Sequence, residues 1–371
     1  MAQRLLVCEY VSGGGWVEAA RHARAQAGSA FAGTITAPTG SAIGVRASTG
    51  AAKGAPPGAG STIAATAQSD DHDLLAQGLA MRDAIVADAA ALPGIELACV
   101  QGPGVPRAAA GGSVELRPGE SLLDLVRREA LHFDRVWVVA PETDGCLLAL
   151  AQAVDAGRWM GCRPAAIRLC SSKRATLAHL TARGIATPLA IDEDAARWVV
   201  KPDDGAGSVE TQVHGTREAA AVDVAARMSQ GRAATLEPWV EGEALSLSLF
   251  LRKDAGEGCA AELLSVNRQH ITVGSSGTLA YRGVDILAIG PADTRHAALR
   301  DTAAAVARAV PGLRGFVGID LVWHERCGPV VIEINPRLTC AYAGLSSALG
   351  RNLAGEMLAL HDHEARAHAR A

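Results

Sequence analysis

The chain has no Cys-x-x-Cys pair and no cysteine–histidine pairing at zinc-ligand spacing, although eight cysteines are scattered along its 371 residues. That argues against a structural zinc site, and the thiols read as reduced, mostly core residues of a cytoplasmic protein. There is no basic stripe, and the formal net charge is −4, which argues against a nucleic-acid or anionic-membrane partner. No run is long and apolar enough to span a membrane. The opening Arg-Leu-Leu-Val-Cys-Glu-Tyr-Val reads as a first β-strand rather than a signal peptide, because Glu9 interrupts an already short apolar run. Acidic residues are missing between Glu18 and Asp70, and from Gly28 to Ser69 the composition turns to Gly, Ala, Ser, Thr and Pro. With no aromatic residue after Phe31 and no periodicity, segment 28–69 is expected to be a mobile insertion without a core.

What is present suffices for two or three domains, with 49% hydrophobic residues to fill their cores. The most informative stretch runs from Gly315 to Arg337. Two arms rich in Val, Ile, Phe and Trp flank the turn-compatible Glu325-Arg-Cys-Gly328, so an antiparallel hairpin is expected. A symmetric turn puts Asp320 opposite Glu333, and alternation puts Glu333 and Asn335 on one face with Ile332 and Ile334 on the other. Two facing carboxylates repel, so something positive should sit between them. Hard oxygen donors of this kind suit Mg²⁺ when substrate phosphates and waters complete its shell; a solvated sheet face is the alternative. Arg337, just past the strand, favours anion chemistry.

Taken in order, Arg4 to Val11 is a strand running into Ser12-Gly13-Gly14-Gly15, a place where α/β sheets bind anions or small ligands, or else a plain flexible turn. A helix over 74–92, a strand over 95–100, a loop over 103–117, a helix over 121–130 and a strand over 135–140 follow. This alternation implies a parallel, Rossmann-like sheet. Glu142, Thr143 and Asp144 then stand at a strand's carboxyl end, with Asp144 equally readable as a helix N-cap. A second domain begins near Pro164, with a strand over 165–170 and a Ser-capped helix carrying Lys173 in its first turn, against the helix dipole. The strand ending at Lys201 leads into Pro-Asp-Asp-Gly-Ala-Gly-Ser208. There Gly205, Gly207 and Ser208 let backbone N–H groups approach phosphate oxygens, unless the segment is only a surface turn. A strand broken at Glu237-Pro-Trp239-Val240-Glu-Gly-Glu243 could line a cleft, with backbone groups of Glu237 and Val240 free to pair with a purine edge.

From about Ala165 to Ser347 this ordered set resembles the ATP-grasp superfamily. The resemblance implies an α/β fold, with an N-terminal Rossmann-like domain ahead of the two ATP-grasp lobes. It implies boundaries of 1–164 for the first domain, 165–234 for the small lobe, and 235–371 for the C-terminal lobe with the metal site. It implies that Lys173 and Lys201 hold ATP phosphates and that Gly205, Gly207 and Ser208 close over them. Glu237, Trp239, Val240 and Glu243 would grip adenine and ribose. Asp320, Glu333 and Asn335 would carry Mg²⁺, for which Mn²⁺ can substitute. The acid that binds ribose in such enzymes often lies two residues past the hinge glycine, where this chain has Ala244; Glu243 is the stand-in.

The segments around Glu9, around Glu142 and at Asn267-Arg268-Gln269 resemble the branch that includes tyramine-glutamate ligase of methanofuran biosynthesis, with methylofuran-type one-carbon carriers as the analogous products. The implied reaction is amide formation from a small-molecule carboxylate and an amine through an acyl phosphate, releasing ADP. Arg337, Lys201 and Arg268 are the candidate catalytic residues, and Glu9, Ser12, Gly13, Glu142 and Asp144 the candidate substrate residues. An ATP-grasp kinase and a nucleotide-binding scaffold without turnover are the rival classes. The sequence leaves monomer and homodimer both open.

Overall fold

The computed structural model describes residues 2–15, 59–191, 195–205, 208–253 and 259–368. Its first part is a parallel sheet of β1 (Gln3–Glu9), β2 (Ile95–Gln101), β3 (Gly112–Glu115) and β4 (Arg135–Val139), in the order β3-β2-β1-β4. Alternation along β1 explains how both faces are covered. Leu5 and Val7 enter one core with Ile85, Val86 and Ala89 of helix α1 (Ala59–Ala90). Leu6 and Cys8 enter the other with Leu122, Leu125 and Val126 of α2 (Leu122–Ala130). Ser121 caps α2 by accepting the Asp124 N–H. α3 (Cys146–Ala153) follows β4.

Three expectations change. The insertion expected over 28–69 lies outside the described residues as far as 58, but Ala59 to Ser69 form the first turns of α1, so the helix starts inside that segment. Alanine supports a helix without an apolar stripe, so missing periodicity is not a sign of loop. The stretch expected as a strand over 165–170 is helix α4 (Pro164–Cys170). Proline sits at its first position, and Ala166, Ile167 and Cys170 turn to the core. A short apolar run fits a buried helix as well as a strand, which is why the two are easily confused. The loop expected over 103–117 contains β3, an edge strand that pairs with Ala98 to Gln101.

The second part is antiparallel. α5 (Lys173–Thr181) precedes a small sheet in which β5 (Trp198–Pro202) lies between β6 (Gln212–His214) and β7 (Ala234–Pro238). Trp198 and Val200 pack on Ala220 of α6 (Arg217–Ser229) behind it. The large sheet comprises β8 (Glu243–Lys253), β9 (Cys259–Val273), β10 (Leu279–Ile289), β11 (Gly315–His324) and β12 (Gly328–Asn335), ordered β10-β9-β8-β11-β12. Leu245, Leu247, Ile319 and Leu321 face α7 (His296–Ala309) on one side. On the other side Phe250 and Phe316 meet Trp137 of β4 and Tyr342. That core continues through Leu345 of α8 (Leu345–Leu349) to Leu353 and Met357 of α9 (Leu353–His368). Trp137 stacks on Phe316 with centroids 6.1 Å apart, and Tyr342 stands edge-on to Phe316 at 5.0 Å. These aromatic contacts join the parallel sheet to the large antiparallel one. Among the described residues no helix is long and apolar enough to cross a membrane.

Candidate active site

The hairpin forms, and Asp320 pairs with Glu333 and Gly318 with Asn335. The turn is not symmetric: Leu321 pairs with Val331 and His324 with Gly328, so Ile332 is an extra residue in β12. This bulge restores the register that sets the two carboxylates face to face. Asn335 Nδ2 donates to Asp320 Oδ2 at 3.0 Å, and Gln269 Nε2 of β9 donates to Asp320 Oδ1 at 2.9 Å. Burial first, and then the Glu333 charge, push the Asp320 carboxyl up to about 6 despite those two donors. A divalent cation placed there would reverse that balance.

A cation reaches one of the two acids, Glu333, from α5. Ser172 accepts the Ala175 N–H and starts the helix, which aims Lys173 inward. Its Nζ lies 3.2 Å from Glu333 Oε1 and also donates to the Gly205 carbonyl. Burial works against the Lys173 ammonium, but Glu333, then Glu142 and Glu237, outweigh it and hold its pKa above the ordinary lysine value. Lys201, at the end of β5, is also buried, 2.8 Å from Glu237 Oε2. Both lysines are thus held by carboxylates, positions that phosphate oxygens can take over.

The loop after β5 is fixed by its acids. The Asp203 side chain accepts from Ser172 Oγ at 2.7 Å and from the Arg174 N–H at 2.9 Å, which ties it to the start of α5. Asp204 Oδ2 accepts the Asp144 N–H at 2.8 Å, across to the parallel sheet. Gly205 is buried at the base of the loop and Ser208 is partly exposed, while Gly207 lies outside the described residues.

Beyond the hairpin, Arg337 Nε and Nη2 donate to the two oxygens of Glu142 at 3.0 Å each, and Nη2 also reaches Asn335 Oδ1 at 3.4 Å. Glu142 is therefore a buried partner of Arg337, not an exposed loop acid. Asp144 is not a helix cap. It adopts φ 54°, and α3 begins after Gly145 with no side-chain cap. Glu9 turns back on its own loop, its carboxylate accepting the N–H groups of Val11 at 3.1 Å and Ser12 at 2.7 Å. Burial raises its pKa against those bonds. Ser12 and Gly13 are buried in the same loop, and a Cβ on Gly13 would meet Val100 and Leu122.

The hinge divides. Glu237 reaches Lys201, and β7 is an edge strand of the small sheet, so one side of its backbone is unpaired within that sheet. Trp239 N–H is taken by the Arg197 carbonyl at 2.9 Å, and Val240 is buried. Glu243 and Arg268 do not join the acids. Arg268 Nε donates to Glu243 Oε1 at 2.6 Å, and Glu243 also takes Arg295. Asn267 bonds to Ser246 and Ser248, and Gln269 to Asp320, so alternation puts Arg268 on the opposite face of β9. That parity is readable in Asn267-Arg268-Gln269, and it picks out Gln269, which sequence reasoning missed. Asp203 and Asp204 were also missed, although two acids beside a glycine loop expected to meet phosphates are a visible oddity.

Among the described residues no three His, Cys, Asp or Glu gather as a metal site. The hairpin offers two carboxylates and a carboxamide instead, with one carboxyl already raised by burial and then by its neighbour's charge. That donor set fits a hard divalent ion that keeps waters and takes phosphate oxygens. Asp320, Glu333 and Asn335 are the residues that would hold it.

Residues 170–341 match the ATP-grasp domain family and residues 95–167 the pre ATP-grasp 3 domain family. The chain belongs to the ATP-grasp superfamily. Its fold is shared with an ATP-grasp superfamily protein of Archaeoglobus fulgidus, at 19% identity and TM-score 0.59, over 96% of this chain and 88% of that one. It is also shared with the L-amino acid ligase of Bacillus licheniformis, at 19% identity and TM-score 0.52, over 71% and 67% of the two chains. The D-alanine–D-alanine ligase of Bacillus anthracis is similar at 14% identity and TM-score 0.52, over 77% and 95%. No curated protein sequence matches the chain.

Proposed function

We propose that this protein is an ATP-dependent carboxylate–amine ligase. The observation that carries the reading is the facing pair Asp320 and Glu333, braced by Asn335 and Gln269, with the buried Lys173 3.2 Å from Glu333. A divalent cation, Mg²⁺ or Mn²⁺, on Asp320, Glu333 and Asn335 would neutralise charge on the β- and γ-phosphates. Lys173 and Lys201 exchange their carboxylate partners for phosphate oxygens. A substrate carboxylate oxygen attacks the γ-phosphorus and ADP leaves; an amine then attacks the acyl carbon, phosphate leaves, and the amine gives up a proton. Arg337, beside Asn335, steadies the acyl phosphate, and positioning with charge neutralisation supplies most of the rate.

The substrates in this reading are L-glutamate and a tyramine- or tyrosine-like amine, in the making of a one-carbon carrier cofactor. The branch resemblance supports it. The names of two similar folds, L-amino acid ligase and D-alanine–D-alanine ligase, support amino acids as the class. Of the charged residues considered for glutamate, Arg337 stands at the cluster, while Arg268 is on the far face and Glu9 is satisfied by its own loop. Incubation with ATP, Mg²⁺, L-glutamate and tyramine should give a product of the amide's mass. A product formed only with aliphatic amino acids keeps the ligase and removes the substrate reading; no ADP with any carboxylate and amine removes both.

A further inference from the structure

Two contacts that reach different parts of the candidate site start from one short turn. Pro141 to Gly145 leaves the end of β4, the strand nearest the large sheet in the parallel one. Glu142 in this turn takes both donors of the Arg337 fork, 195 residues away in sequence, and Arg337 follows directly on the acid-bearing β12. Two residues later the Asp144 amide donates to Asp204, in the loop whose Gly205 carbonyl takes Lys173. Asp144 itself has φ 54°, a left-handed conformation uncommon for a residue other than glycine. Glu142 is 3% exposed and the Arg337 side chain 12%, so the fork is held in a dry environment where loss of either partner leaves a buried charge.

We infer that the Pro141–Gly145 turn is a positioning element that couples the phosphate loop to the arginine beyond the acid hairpin, with Glu142 orienting Arg337 and the Asp144 amide latching Asp204. This deepens the ligase reading and rests on it. Displacement of Asp204 pulls on the Asp144 amide and, through one peptide unit on each side of Thr143, on Glu142. The parallel sheet thereby carries a turn that positions residues of the site.

The test follows dissociation of a fluorescent methylanthraniloyl-ATP, with Mg²⁺, chased by unlabelled ATP, in the full chain. Glu142→Gln and Asp204→Ala should each speed dissociation roughly threefold to tenfold, the scale of one lost hydrogen bond. The double variant should be no faster than about the faster single, because one coupled device has been broken twice. Glu142→Asp, which keeps the charge, should restore a rate within about twofold of the wild type, which a merely structural role would not do. Hydrogen exchange at the amides of 337–339 should quicken in Asp204→Ala, a readout that leaves Glu142 intact even where its own variants fold poorly. Unchanged exchange there, rates that multiply in the double variant, or singles indistinguishable from the wild type overturn the inference. A wild-type protein that binds no nucleotide overturns the ligase reading as well.

Discussion

At the scale of single residues, the decisive feature is a lysine placed where two effects oppose it. Lys173 sits in the first turn of a helix, against the dipole, and burial disfavours its charge again. Glu333 keeps it charged, which changes what Glu333→Gln should do. Considered alone, facing carboxylates repel, and relief of that repulsion is worth roughly 0.2–1 kcal/mol. Removing one member of a buried ion pair costs roughly 3–5 kcal/mol, so the pair wins. The nucleotide-free variant should melt lower than the wild type and lose ADP release; a raised melting temperature would show that the repulsion dominates. His361 makes a second residue-scale case. Arg314 Nε donates to His361 Nε2 at 3.0 Å, so the ring proton is on Nδ1 and goes to the Met357 carbonyl at 2.7 Å. Burial, then the Arg314 charge, lower its pKa to about 3. In the unfolded chain the ring titrates near its ordinary value of about 6.5. The unfolded state therefore binds the proton first, and the His361 contribution is fully present above about pH 6.5 and lost as pH falls toward about 3, at up to about 1.4 kcal/mol per pH unit. Chemical denaturation of wild type and His361→Gln, whose amide can accept from Arg314 and donate to Met357, should give curves that converge as pH drops from about 7 to about 5. A constant difference would mean that the ring is not kept neutral by the fold.

At the scale of elements, helix α1 is seated by a glycine. A Cβ on Gly78 would lie 2.5 Å from Glu9 Oε2, so only the bare backbone lets the helix cover the loop after β1. An exposed Gly-to-Ala change in a helix usually gains about 0.5–1 kcal/mol. For this helix the sign should reverse, with Gly78→Ala costing roughly 1–3 kcal/mol through overpacking against a buried carboxylate. Thermal melts decide it, and stabilisation would mean that Glu9 has room to move. The elements also separate what a sequence discloses from what it hides. The hairpin is legible because both arms and the turn fall within about two dozen residues and strand alternation is a local rule. Its bulge at Ile332 is not, since nothing in Pro-Val-Val-Ile-Glu departs from a regular strand. Lys173 and Lys201 are legible as cations out of place, one at a helix start and one ending an apolar strand. The helix at Pro164–Cys170 reads as a strand because seven residues carry too little period to separate the two. Arg268 misleads for a different reason: its neighbours look like one motif, although alternation puts it on the other face from Asn267 and Gln269.

At the scale of the whole molecule, the site is an assembly of parts that no local pattern connects. Glu142 and Arg337 follow strands of different sheets, as do Asp144 and Asp204, and only packing brings them together. Trp137, Phe316 and Tyr342 supply that packing at the junction, so the geometry of the candidate site depends on an aromatic core beside it. The central claim is that this assembly activates a carboxylate by moving the γ-phosphoryl group onto it, and the oxygen atoms record whether it does. L-Glutamate labelled with heavy oxygen in its carboxylates, turned over with ATP, Mg²⁺ and tyramine, should pass one labelled oxygen per amide to inorganic phosphate, with ADP as the nucleotide product. Label found in AMP, with pyrophosphate released, would contradict the acyl phosphate and with it the proposed roles of Lys173, Lys201 and Arg337.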